Sequence, residues 1–309
     1  MEDHKLNFLS IDIGGTNLKY ALVNEFGQII IKGTNAINTQ DEIQFLKSLY
    51  KIIDLHGQDI QGIGFSLPGV VDPLAKKLLS SARLSFLEKS EFFNELQTKY
   101  GMPVTIENDS NCAALAEKWQ GSIADENNAA MIVLGTGIGS SIFLNGQLIR
   151  GNHFAASEPS FMVIDKSKTG VNQTAAFLSA VGMIEDIGTH LSLPNVKDGR
   201  RVFAAIMAGE EYAWKTFVDF CDQAALLMYN IQSILDLNKF VIGGGISSQP
   251  ILIKQLRVSF EKWHKVTLLS ERTITIPEIV SAHFYNDANL IGGIVPLIRQ
   301  IKEQKSDVQ

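Results

Sequence analysis

The apolar positions along the chain follow two rhythms. From residue 6 to 34 they come as short blocks, FLSIDI, LKYALV and IIIKG, parted by GGTN and NEFGQ. That spacing predicts three strands joined by tight turns. Over 40–56 the interval lengthens, and Ile43, Leu46, Leu49, Tyr50 and Ile53 recur at helical spacing, so a helix with these residues on its inner face is expected. QGIGFSLPG then reads as a fourth strand ending at Pro68 and Gly69. The strand MPVTIEN leads into a helix, DSNCAALAEKWQG, stopped by Gly121, and a further hairpin spans AAMIVLGTGIGSSIFLNGQLI. From 174 onward helices dominate, with a long stripe over 211–235 through Tyr212, Phe217, Phe220, Leu227, Ile231 and Ile234. KFVIGGGISSQPILIKQL returns to strand, glycine turn and helix, with Ser247 or Ser248 as the expected cap and Pro250 in the first turn. A last helix is predicted over roughly 288–303.

One repeat organises these elements. FLSIDIGGTNLKYALVNEFGQII and AAMIVLGTGIGSSIFLNGQLI share a plan of apolar strand, Gly/Thr turn, strand and then Gly-Gln-apolar. Two similar α/β halves, each opening with a glycine-turned hairpin, would bring both turns to one cleft.

Composition narrows the function. The 309 residues, 45% of them hydrophobic, are enough for two domains with sizeable cores. Twenty-seven Lys and Arg against 33 Asp and Glu give a net charge of −6 without a basic block, which argues against a nucleic-acid partner. Cys112 and Cys221 lack CxxC spacing or histidine company, so neither a zinc site nor a disulfide is expected, and both read as small buried residues. MEDHKLNFLSID has no cationic stretch leading into an apolar one, and no run of about 18 apolar residues follows. A cytoplasmic protein without a membrane partner is expected.

Against that background the glycine turns gain chemical meaning. Gly14 and Gly15 let the backbone come close to an anion and aim N–H groups at it, and Thr16 adds a hydroxyl. Asp12 would repel a phosphate unless Mg²⁺ stood between them, and Mg²⁺ takes one or two carboxylates together with waters and phosphate oxygens. With Lys19, the turn therefore suggests a Mg·nucleotide site, although a tight hairpin with an acid at the strand end reads the same way. In GTGIGSS, Thr136 and Gly137 repeat the phosphate donors without the acid. Three glycines at 243–245 could let a nucleoside lie on the strand-to-helix corner, or simply make that corner tight. Residues 243–248 also fit GxGxxS, but they lack the opening βαβ context of a dinucleotide site, and no Walker pattern is present.

ENDSNCAALAE, 107–117, sets three polar residues between a strand and a helix. Asn108 or Asp109 would cap that helix. A carboxylate at a strand end is also where phosphoryl transfer to a hydroxyl needs one, with Asp109 accepting the proton and Asn108 binding a neighbouring hydroxyl. Glu158, in GNHFAASEPSF, could accept hydrogen bonds from a polyol or be an ordinary surface glutamate.

Taken in order, DxGGTxxK (Asp12 to Lys19), PGVVDP (Pro68 to Pro73), ENDxNxAAxAE (Glu107 to Glu117), GTGIG (Gly135 to Gly139) and GGGIS (Gly243 to Ser247) resemble the ROK family of repressors and sugar kinases, over nearly the whole chain. The resemblance implies the actin-like, ribonuclease-H-type fold, with two α/β domains around a central cleft: 1–117, completed by a C-terminal helix at 288–309, and a larger domain at 118–287. It implies ATP and Mg²⁺ as cofactors, a sugar as substrate, and a homodimer. Asp109 matches the catalytic base, and Gly69, Asn108 and Glu158 match sugar-side residues. Gly14, Gly15, Thr16, Thr136 and Gly137 match phosphate turns, and Gly244 and Gly245 match nucleoside-side glycines. From the chemistry of its turn, Asp12 is expected to hold Mg²⁺ through ATP.

The chain also departs from the family pattern. Where many members read GEIGH, it reads SEPSF, keeping Glu158 and putting Phe161 in place of the histidine. DKSKTGVNQTAA stands where a cysteine-rich zinc motif usually follows, so no structural zinc is expected. SARLSF, 81–86, replaces an Asn-containing stretch that borders the sugar. Phe161 near the anomeric end would favour a longer or substituted sugar, as in the zinc-free β-glucoside kinases that act on cellobiose. The expected activity is transfer of the γ-phosphate to a hexose or hexosyl 6-hydroxyl. The alternative is a non-catalytic sugar sensor on the same scaffold. With Asp12 so early in the sequence, the helix-turn-helix of the family's repressors is not expected ahead of the first strand.

Overall fold

The computed structural model describes residues 6–39, 41–57, 60–166 and 172–306. The chain divides into two units, one built from Met1–Gln120, Gly151–Ala155 and Asp287–Gln309, the other from Gly121–Arg150 and Ala156–Asn286. In the first unit the chain runs through β1 (Asn7–Ile13), β2 (Asn17–Asn24), β3 (Ile29–Ala36), α1 (Glu42–His56), β4 (Ile63–Leu67), the short pair β5 (Val70–Asp72) and β6 (Lys77–Ser80), α2 (Phe92–Tyr100), β7 (Val104–Asn108) and α3 (Asp109–Gln120). Its sheet has the order β3-β2-β1-β4-β7. The tightly turned strands pair antiparallel, while β1, β4 and β7 run parallel, which puts their carboxyl ends along one edge.

The second unit repeats this plan. It contains β8 (Ala129–Leu134), β9 (Ile138–Leu144), β10 (Gln147–Leu148), β11 (Val163–Lys166), β12 (Asn172–Thr174), α4 (Ala180–His190), α5 (Gly199–Met207), α6 (Glu211–Leu235), β13 (Lys239–Gly243), α7 (Pro250–His264), α8 (Leu268–Thr273) and β14 (Glu278–Ser281). Its sheet order, β10-β9-β8-β13-β14, again joins an antiparallel hairpin to parallel strands. The internal repeat in the sequence is thus a repeat of sheet architecture. The chain ends in α9 (Ala288–Gly293) and α10 (Val295–Ser306), which belong to the first unit.

Several sequence expectations shift by a face or a turn. Asp41 caps α1, its carboxylate accepting the Gln44 N–H at 3.0 Å. From that start the buried stripe is Phe45, Leu49, Ile52 and Ile53, and Ile43, expected inside, is 81% exposed because it lies on the opposite side of the helix from Phe45. On α6 the stripe holds through Phe217, Phe220, Leu227 and Ile231, but Tyr212 and Ile234 near its ends are exposed. The single C-terminal helix is two, parted at Ile294, since Pro296 has no N–H to offer the Gly292 carbonyl. Neither Ser247 nor Ser248 caps α7; the N-cap is Gln249, with Pro250 first in the helix, and Ser247 is tied back by its Oγ to the Gly244 carbonyl at 2.8 Å.

Each unit has its own apolar core, Leu9, Ile11, Phe65 and Phe93 being fully buried in the first and Ile132, Phe217, Phe240 and Phe260 in the second. Among the described residues no helix is long and apolar enough to cross a membrane. Both cysteines are 0% exposed. Burial pushes the Cys112 thiol well up, helped by the carboxylates of Glu107 and Asp12, and burial with Asp222 does the same to Cys221. Thiolate is the reactive form, so the folded protein is expected to give no colour with an aromatic disulfide reagent and two thiols per chain once unfolded. A fast native reaction would contradict this burial.

Candidate active site

The carboxyl edge of the first unit's sheet gathers the polar residues of three strands. Register pairs Asp12 on β1 with Ser66 on β4, and Ser66 with Glu107 on β7, so one row crosses all three. Asp12 is 5% exposed, and its Oδ1 accepts the Ser66 hydroxyl at 2.7 Å and the Asn289 amide at 3.0 Å. The β1–β2 register places Lys19 directly opposite, with Nζ 3.6 Å from Asp12 Oδ2. Oδ1 is thus held by two neutral donors, while Oδ2 has the looser contact with Lys19 and is the oxygen that a metal–phosphate group could approach. Between these strands the turn closes with Gly14 N–H donating to Asn17 O at 2.9 Å, and Thr16 is exposed.

Two residues past that row, Asp109 opens α3. Strand spacing puts the end of β7 about 10 Å from that of β1. Asp109 Oδ1 accepts the Ser110 N–H at 2.8 Å and the Asn108 amide at 3.1 Å. Asn108 is the cap, its Oδ1 accepting the Asn111 N–H at 3.1 Å, while its Nδ2 also donates to the Gly69 carbonyl at 3.0 Å. Buried Glu107 takes the Asn108 N–H and the Asn111 amide, each at 3.0 Å. Asn108 therefore clamps the Gly69 turn to the carboxylate of Asp109. Gly69 has φ +114°, and a Cβ there would lie 2.2 Å from the Ser80 carbonyl oxygen, so the turn requires glycine.

In the second unit the Gly135 turn and the Gly243–Gly245 corner meet. A Cβ on Gly244, whose φ is +93°, would lie 2.0 Å from the Leu134 carbonyl oxygen. That contact brings the corner against the end of β8, just before Gly135. Thr136 and Gly245 are exposed. A cavity of about 550 Å³ opens beside them, lined by Gly135, Val181, Ile184, Arg200, Gly245 and Ile246 among others. Its size and mixed apolar and glycine lining suit a nucleoside. Glu158, also in this unit, is exposed, and its Oε1 accepts the Ser160 hydroxyl at 2.8 Å. Phe161 beside it is 79% exposed. The segment that stands in place of a zinc motif lies partly outside the described residues, at 167–171.

Sequence reading missed Ser66, Glu107, Asn111 and Asn289. Ser66 and Asn289 reach Asp12 from 54 and 277 positions away, a distance no local pattern spans. The signal for Ser66 was its place in an otherwise apolar strand, GFSLPG, and for Asn289 the polar pair of NDAN just ahead of an apolar helix.

The model of the ROK family matches residues 8–300. The chain is 30% identical over 301 residues to a beta-glucoside kinase of Listeria monocytogenes, covering 96% of this chain and 98% of that one. Among solved structures, it is similar to a ROK family protein of Streptococcus pneumoniae in complex with sucrose, with a TM-score of 0.83 at 26% identity over 96% of this chain and 100% of that one. It also resembles a ROK family glucokinase of Streptomyces griseus in complex with glucose and AMPPNP, with a TM-score of 0.80 at 21% identity over 95% and 99% of the two chains. The mixed α/β, actin-like fold expected from the sequence is the fold the chain has.

Proposed function

The chain belongs to the ROK family, and from that premise we propose that it is an ATP-dependent sugar kinase acting on the 6-hydroxyl of a hexose or hexosyl unit, glucose or a β-glucoside such as cellobiose. One observation carries the reading. A single sheet edge holds a buried, doubly hydrogen-bonded Asp12 beside a glycine turn and, two strands away, the Asn108–Asp109 pair. The relative named a beta-glucoside kinase supports the β-glucoside branch, and so does Phe161, which offers an exposed apolar ring three positions from Glu158, a residue of the kind that contacts sugar hydroxyls.

The chemistry follows from the parts. In the first unit the N–H groups of Gly14 and Gly15 and the Thr16 hydroxyl bind phosphate oxygens, and Lys19 adds charge. In the second, Thr136 and Gly137 do the same, and the Gly244–Gly245 corner takes the nucleoside in the cavity that Gly245 lines. In the first unit Asn108 and the Gly69 turn take sugar hydroxyls; in the second, Glu158 is the residue proposed for that role. Asp109 accepts the proton as the sugar oxygen bonds to Pγ and the bond from Pγ to the bridging oxygen breaks, leaving ADP. Asp12, with Oδ1 spoken for and Oδ2 turned to Lys19, fits Mg²⁺ held through ATP, which would neutralise phosphate charge when bound. A cytoplasmic homodimer goes with this reading.

The test is ADP release from ATP and Mg²⁺ with glucose, N-acetylmannosamine, fructose and cellobiose in parallel. Sugar-dependent release, greatest with glucose or cellobiose, is expected. Measurable sugar binding without release for any of them would make the chain a sensor and overturn the kinase.

A further inference from the structure

Arg83 takes no part in the site as described, yet it stands over the phosphate turn. A Cβ built on Gly15 would lie 2.3 Å from Arg83 Nη1 and 2.8 Å from its Cζ, so the guanidinium rests directly on the bare backbone of that glycine. The side chain is exposed, and among the described residues no carboxylate or other acceptor pairs with its guanidinium. Its backbone, by contrast, is fixed. Ser81, 5% exposed, accepts the N–H groups of Arg83 and Leu84 at 3.4 and 3.3 Å, the Ser81 N–H is held by Glu88 at 2.7 Å, and Leu84 is fully buried in the core. The same stretch abuts the other half of the site, since Ser80 O and Ser81 Cβ crowd Gly69, the turn clamped by Asn108. Residues 80–84 thus bridge the phosphate turn and the turn beside Asp109.

An unpaired guanidinium on a rigid base, laid against the bare backbone of Gly15, is a planar donor set waiting for an anion. Arginine's fork matches phosphate oxygens, and water-screened positive charge gains strength once a ligand covers it. We propose that Arg83 is a catalytic residue that binds the γ-phosphoryl group of ATP and stays on its oxygens through transfer to the sugar. Donors aimed at charge that develops during reaction lower the barrier most, and positively charged clamps on a moving phosphoryl group are the general case. This inference rests on the kinase reading above. It adds to Lys19 a second cation at the first unit's turn, one supplied by the SARLSF segment, which departs from the family pattern.

The experiment compares the intact wild-type chain with R83M and R83K, titrating AMPPNP and ADP in Mg²⁺ and measuring sugar-dependent ADP release. The exposed position makes both variants tolerable to the fold. R83M is expected to lose about tenfold in AMPPNP affinity with ADP affinity unchanged, and on the order of a hundredfold in kcat with sugar KM little moved. R83K should fall between, because a point charge replaces the fork. An R83M variant whose ratio of AMPPNP to ADP affinity equals that of wild type overturns the proposal, whatever its turnover. If wild type shows no sugar-dependent turnover but R83M still erases that ratio, Arg83 holds phosphate and only the kinase reading fails; a wild type that binds neither nucleotide refutes both.

Discussion

Asp109→Asn is expected to leave ATP binding nearly intact and to remove between about 10² and 10⁴ of turnover. The geometry explains why the loss should be confined to chemistry. Asp109 Oδ1 accepts the Ser110 N–H and the Asn108 amide, and an asparagine can present a carbonyl oxygen to both donors. The start of α3 and the clamp on Gly69 therefore survive the change, and only the capacity to take a proton from a sugar hydroxyl is gone. The Gly14–Thr16 turn, which closes through Gly14 N–H and Asn17 O, does not depend on the substituted atom. Isothermal titration of AMPPNP against both proteins, beside ADP release at saturating sugar, separates the two effects. Positioning and charge neutralisation supply most of the acceleration in phosphoryl transfer, so residual turnover is compatible with the assignment. An Asp109→Asn enzyme turning over at the wild-type rate is not, and it would move the base to another residue.

How far the sequence led depended on whether a feature was local. The two glycine-turned hairpins, ENDSN at a strand-to-helix junction and the Gly243–Gly245 corner each lie within a few consecutive residues, and the backbone geometry they need is written in glycine, threonine and asparagine. Features assembled from distant residues were silent. Ser66 and Asn289 are ordinary polar residues until β4 pairs with β1 and α9 returns to the first unit, when both converge on Asp12 Oδ1. Arg83 was visible only as an altered stretch, because its meaning depends on which backbone it covers. The errors in helix faces have a related cause. Ile43 and Ile234 are apolar at helical spacing, but which side of a helix is buried is set by its neighbours, and a wide apolar stripe leaves that choice open near its ends.

The return of the chain's last segment makes the second large effect, expected from Gly292→Ala. A Cβ on Gly292 would sit 1.6 Å from the Cys112 carbonyl oxygen and 2.4 Å from its carbon, contacts with the backbone of α3 that no side-chain rotation can relieve. Helix α9 must therefore move away from α3. Overpacking a tight seam costs about 1–3 kcal/mol and more where backbone meets backbone, so a fall in Tm on the order of 5–10 °C is expected. The consequence reaches the site, because Asn289 lies three residues earlier on the same helix and donates to Asp12. A displaced α9 takes that donor with it, and affinity for Mg·ATP should fall together with stability. Asn289→Ala separates the two: it removes the donor without touching the seam, and should weaken Mg·ATP binding several-fold while leaving Tm close to wild type. If Gly292→Ala melts with the wild type and binds nucleotide as tightly, then α9 is not wedged against α3, and the route by which the end of the chain steadies the acid at its beginning does not exist.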